Sequence, residues 1–186
     1  MSSMVRLARL LPLLLICSAN ASAQLPQAHA RPAQVAAPNV VYAFADWRRL
    51  RQGGNFSFGD YARFLNYNMD WPGETSLRRA AEKAMRPGEH AQTVLGFYRI
   101  EKPQSGNGWA RYADALIASG RGAEGIAAVK EAWASPSLGS YDAANILARY
   151  GAYLTPQDHN RRVDALLFDK NASSAGQLVA YTSGDR

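Results

Sequence analysis

The 186-residue chain has one cysteine, Cys17, and no apolar run long enough to cross a bilayer, which takes about 20 residues. It also lacks Gly-x-Ser-x-Gly, the elbow that presents a serine nucleophile. The Gly-rich piece Gln104 to Gly108 has no phosphate-loop Lys-Ser/Thr and no strand before it. No long window alternates apolar and polar residues with period two, so a sheet is excluded as the main architecture. Lysines and arginines are dispersed along the chain without forming a basic run, and nothing in them calls for nucleic acid.

What is present begins with a short export-like segment. Arg6 and Arg9 precede the apolar stretch LLPLLLIC, Leu10 to Cys17, and Ala19-Asn20-Ala21 and Ala21-Ser22-Ala23 offer the small-x-small pattern of signal cleavage. Residues 1–23 therefore read as a cleavable signal peptide that leaves no membrane anchor. Bulky Ile16 before Cys17 opposes a lipoprotein reading. Cleavage after Ala23 leaves 163 residues, lowers the formal charge from +6 to +4 by removing Arg6 and Arg9, and takes away the only cysteine. The remainder then has no disulfide and no thiol nucleophile. Residues 24–39, QLPQAHARPAQVAAPN, form an Ala/Pro/Gln-rich linker, where His29 is badly placed to hold a metal.

From residue 40 to 186 the pattern is of helices with clear stops. Val40 to Arg51 ends at Gly53-Gly54, Phe58 to Asn66 sets Tyr61, Phe64 and Leu65 on one face, and Glu74 to Met85 stops at Pro87-Gly88. His90 to Arg99 follows, then a turn at SGNG. Trp109, Tyr112, Ala113 and Leu116 stripe one helix, Gly120-Arg121-Gly122 turns the chain, and Ile126, Val129, Ala132 and Trp133 stripe the next up to Pro136. That is an antiparallel helical hairpin, close to a tetratricopeptide repeat except that Gly125 stands at the usual second-helix alanine. Ser140 to Tyr150 and Thr155 to Asp169 make another. The fold class expected is all-α, a helical-hairpin superhelix or solenoid.

The segment LTPQDHNRRVDALLFD, Leu154 to Asp169, concentrates Asp158, His159 and Asp164. Thr155 suits an N-cap, Pro156 the first helical position, and Asp158 a capping-box return to Thr155. His159, Val163, Leu166 and Leu167 share a face, so His159 is expected at the edge of the core. Asp164 lies five residues from His159, a spacing that does not set two ligands one turn apart. The alternative, a metal-dependent site centred on Asp158 and His159, predicts bound metal. Glu82, Glu124 and Glu131 sit beside lysine, arginine or glycine and read as solvated, not as the raised-pKa acid of a glycosidase. The sequons Asn20-Ala21-Ser22 and Asn171-Ala172-Ser173 carry little weight.

The run YGAYLTPQDHNRRVDALLFD, with RYADALIASGR at Arg111 to Arg121 and WPGETSLRRAAEKAM at Trp71 to Met85, resembles the N-terminal helical region of the soluble lytic murein transglycosylases. Leu154 to His159 and Asp164 to Leu167 match that family's Leu-Thr-Pro-x-Asp-His and Asp-x-Leu-Leu-Trp pattern, with Phe168 in place of the tryptophan. The resemblance spans about Val40 to Tyr181. It implies a periplasmic α-superhelical scaffold attached to an enzyme that cleaves peptidoglycan glycan strands without water, needing no cofactor. The family's catalytic acid lies in a Glu-Ser dipeptide, and neither Glu-Ser nor the accompanying Gly-Leu-Met-Gln occurs here. Asn145-Ile146, Gly151 and Tyr153-Leu154 approach another catalytic-domain motif at the wrong spacing, and read as an ordinary helix end with Gly151 as C-cap. No catalytic, metal-binding or cofactor-binding residue is assigned, and glycan-contacting residues stay unassigned, though tyrosines and arginines suit sugars. Ala172 to Tyr181 is expected to open a further helix whose Leu178 and Val179 need a covering partner, so residues 40–186 read as a superhelical domain truncated at its C-terminus. The partners expected are glycan strands; the alternative is a stand-alone helical-repeat adaptor for a protein partner.

Overall fold

The structure, a computed structural model, describes residues 38–184. The expected signal peptide, its cleavage site, Cys17, His29 and the Asn20 sequon lie outside them. Helices and two 3-10 turns are the only regular elements among the described residues, so the all-α expectation holds.

Among the described residues nine α-helices follow in order: α1 Pro38–Arg51, α2 Phe58–Tyr67, α3 Glu74–Ala84, α4 Ala91–Phe97, α5 Gly106–Ala118, α6 Gly122–Ala134, α7 Ser140–Tyr150, α8 Pro156–Phe168 and α9 Ala172–Gly176. The first begins at Pro38, two residues inside the expected linker, because proline is well suited to an opening helical turn. Ser57 starts α2 with a capping box: its Oγ accepts from Asp60 N–H at 3.2 Å and Asp60 Oδ2 accepts from Ser57 N–H at 3.0 Å. The residues facing inward are Phe58, Tyr61, Ala62, Phe64 and Leu65, as the period demands. Gly73, at φ +81°, makes the left-handed corner into α3 that a side chain would strain.

Two expected boundaries differ. The SGNG segment is not a free turn, because Ser105 caps α5 by accepting from Gly108 N–H at 3.1 Å and the two glycines form its first turn. A methyl carbon at Gly106 would sit 2.6 Å from Leu138 Cα, and one at Gly108 would sit 2.6 Å from Glu82 Cδ. The glycines are there for close packing. The C-terminal helix expected over 172–181 breaks after Gly176 into the 3-10 turn Val179–Tyr181, burying Leu178 while leaving Val179 exposed.

The helices pack chiefly on near neighbours in sequence, and most extensively as the α5–α6 hairpin. Alanines 110, 113, 128 and 132 line its crossing with Val129 and Leu116, letting the two axes approach. Gly125 departs from alanine because Ile117 of α5 occupies the space a side chain would need. Two apolar clusters result, one across α1–α5 and one across α5–α9, with Leu95 and Tyr112 packed against both. Burying large side chains such as Trp133, Phe58 and Phe97 supplies about 1.5–3 kcal/mol each.

Candidate functional site

The acid-rich stretch around Asp158 resolves into a helix start. Thr155 Oγ1 accepts from Asp158 N–H at 3.3 Å, and Asp158 Oδ2 accepts from Thr155 N–H and Oγ1–H, each at 2.9 Å. The same oxygen meets Lys130 Nζ at 2.8 Å. Burial pushes the Asp158 carboxyl up, but the bonds from Lys130 and Thr155 outweigh it and hold it below the usual carboxylate range. His159 lies between the edge of Trp133, 5.5 Å away, and the stacked ring of Tyr181 at 5.4 Å. Burial, the largest influence, holds the imidazole below its ordinary value. The inner stripe is narrower than expected: His159, Val163 and Leu166 are buried, whereas Leu167 is exposed and Phe168 is 93% exposed. Among the described residues no group of three His, Cys, Asp or Glu is placed to hold a metal.

Glu124 and Glu131 are exposed and paired with Arg121 and Arg161, as a solvated reading requires. Glu82 is not solvated. It is 2% exposed, accepts from Gln104 N–H at 2.8 Å and from Ser105 Oγ–H, and lies beside the Tyr98 hydroxyl. Burial, and then the neighbouring Glu82 charge, pushes the Tyr98 phenol far up. By accepting from Gln104 N–H and from the hydroxyl of the N-cap Ser105, the carboxylate clasps α3 to the segment that opens α5. The adjacent Lys83 suggested a surface position, yet Glu82 falls on the inner face with Leu77, Arg78 and Ala81. It is sealed from solvent. Asn145 and Ile146 lie within α7, and Gly151 is its C-cap in a right-handed conformation, continuing into the 3-10 turn Gly151–Tyr153.

The arrangement best suited to a ligand lies elsewhere, between α1 and α2. Trp47 Nε1–H donates to Pro72 O at 2.8 Å and its ring lies 5.9 Å from Trp71, which meets Phe64 edge-on at 5.6 Å. This aromatic cluster fixes α1, α2 and the loop after α2. Asn68 Nδ2 closes α2 by donating to Phe64 O at 2.8 Å, and Asp70 takes the left-handed conformation, φ +62°, that turns the loop back. Above the cluster a cleft of about 580 Å³ opens, within the ~300–1,000 Å³ range of small-molecule sites. No family model matches this chain, and neither does any curated protein or solved structure.

Tyr42 and Tyr67, 72% and 85% exposed, stand on the walls of the cleft, and Trp71 is half-buried at its base. Its two charged side chains have opposite sign: Asp46 pairs with Arg49 at 3.4 Å and Arg63 with Asp60 at 3.2 Å. Open ring faces, charge balance and hydrogen-bonding edges suit a neutral, hydroxyl-rich ligand. No sequence pattern marks these residues, since two helices and a loop must first converge to bring them together.

Proposed function

We propose that this chain is the helical scaffold of a periplasmic peptidoglycan lytic transglycosylase, holding glycan strands without cleaving them. The motifs from Trp71 to Asp169 support the family reading, and helices that pack chiefly on their sequence neighbours accord with a superhelix of stacked hairpins. The observation that carries the glycan assignment is the α1–α2 cleft, where Tyr42 and Tyr67 offer exposed rings over a charge-balanced interior. Amino-sugar rings present an apolar face that packs on tyrosine and a rim of hydroxyls that bonds to Asp46, Arg63 and Asn68. Catalysis is assigned to no residue of this chain, which has no Glu-Ser and whose Glu82 is sealed. Export through residues 1–23 belongs to the same reading.

Incubation of the purified chain with insoluble peptidoglycan tests it. The chain co-sediments with the wall material and releases no soluble anhydromuramic fragments; release of such fragments, or a chain that stays wholly in the supernatant, overturns the proposal. The second reading, an adaptor for a protein partner, is favoured by a separate groove over α5.

A further inference from the structure

Three clefts, of about 410, 150 and 440 Å³, adjoin one another beside α5 through shared lining residues and make up one grooved face. Pro87, in the turn between α3 and α4, lines all three, while α7 forms the opposite wall with Tyr141, Asp142 and Arg149. Five cationic side chains, Arg79, Lys83, Arg86, Arg111 and Arg149, line it against three carboxylates, Asp114, Asp142 and Glu89. The carboxylates are already engaged. Asp142 and Asp114 hold Arg111, Asp114 also meets Arg149 at 3.3 Å, and Glu89 accepts from Arg86 N–H at 3.1 Å. Arg79 and Lys83 make no ion pair among the described residues, so one end of the groove carries surplus positive charge.

The middle of the groove adds a second observation. Arg111 is 6% exposed, and its Nε–H has no partner; neither has the buried hydroxyl of Tyr150, whose ring lies under Arg149 at 4.9 Å. Two buried groups able to donate are thus left unsatisfied in the lining of one cleft. Ala110, Ala113 and Ile146 line the same cleft as an apolar floor.

We infer that this groove binds an extended peptide segment bearing carboxylate side chains. Its backbone carbonyls accept from Arg111 and Tyr150, small side chains rest on the apolar floor, and carboxylates pair with Arg79 and Lys83. A neutral glycan leaves those cations unused. A nucleic acid needs stacking faces, and Tyr141 is the one widely exposed ring on the groove. The site is separate from the α1–α2 cleft and stands or falls independently of it.

Fluorescence anisotropy with the purified full chain tests this, using a labelled peptide of alternating Glu and Ala, a Lys/Ala counterpart, and single-stranded DNA of equal charge. The acidic peptide binds most tightly. The double variant R79E/K83E, on exposed positions, weakens it about tenfold, and Tyr150→Phe about threefold, with helical circular dichroism unchanged. Tyr67→Ala leaves peptide binding intact, which separates this site from the glycan cleft. Equal binding of the Lys/Ala peptide, DNA binding as tight as the acidic peptide, or indifference to R79E/K83E overturns the inference.

Discussion

Asp158 and His159 are adjacent in sequence but respond to acid in separate ranges. His159 binds its proton less readily folded than unfolded, where its ordinary value is 6.5. The stability linked to it is complete above that value and lost as pH falls below it. Asp158, held below its ordinary 3.8 by Lys130 and Thr155, contributes stability that persists above 3.8 and disappears at lower pH. Thermal unfolding followed from pH 7.5 downward should show an early decline that His159→Phe abolishes and a later one that Asp158→Asn abolishes; a single decline indifferent to both contradicts this assignment. Glu82 makes a second residue-scale case. Glu82→Ala leaves Gln104 N–H and the Ser105 hydroxyl without their acceptor and should cost about 3 kcal/mol in urea unfolding, with Glu82→Gln costing less. The capping role of Asp158 was legible because all its partners except Lys130 lie within three residues. The burial of Glu82 was not, because its partners arrive from 22 and 23 residues away.

At the scale of elements, helical periodicity and local stops located the helices from α1 to α8, although α1 and α7 each bury a single apolar residue, Leu50 and Ile146. Periodicity misread the glycines of α5, where propensity alone favours a turn. Gly106→Ala and Gly108→Ala each improve helix propensity, yet the added methyl meets Leu138 backbone or the Glu82 carboxyl, so each should destabilise by about 1–3 kcal/mol. Gly122, in the first turn of α6 with nothing within 4 Å of an added methyl, gives the contrast: Gly122→Ala should be neutral or stabilising by up to about 0.5 kcal/mol. Chemical denaturation of the three variants checks the order, and equal behaviour contradicts the packing argument. The break after Gly176 was equally hidden. The stripe continues through Leu178 and Val179, but only Leu178 finds cover.

Across residues 38–184 the two apolar clusters share α5, and Leu95 and Tyr112 touch both, so their unfolding should be coupled. Tryptophans report on each side: Trp47 and Trp71 on one cluster, Trp109 and Trp133 on the other. Their fluorescence and the helical circular dichroism should lose signal together in urea, while Tyr112→Ala separates the two transitions; separation in the unaltered chain contradicts the coupling. The α1–α2 cleft belongs to this scale too, since it exists only after α1, α2 and the Trp71 loop have assembled. The most direct test of the scaffold account is a titration of a neutral amino-sugar oligomer into the purified chain, followed by tryptophan fluorescence with Trp71 at the base of the cleft. Saturable binding that Tyr67→Ala weakens about tenfold, with the oligomer recovered uncleaved, is the predicted result. No saturable change, or one that the Tyr67 and Tyr42 rings do not influence, contradicts it.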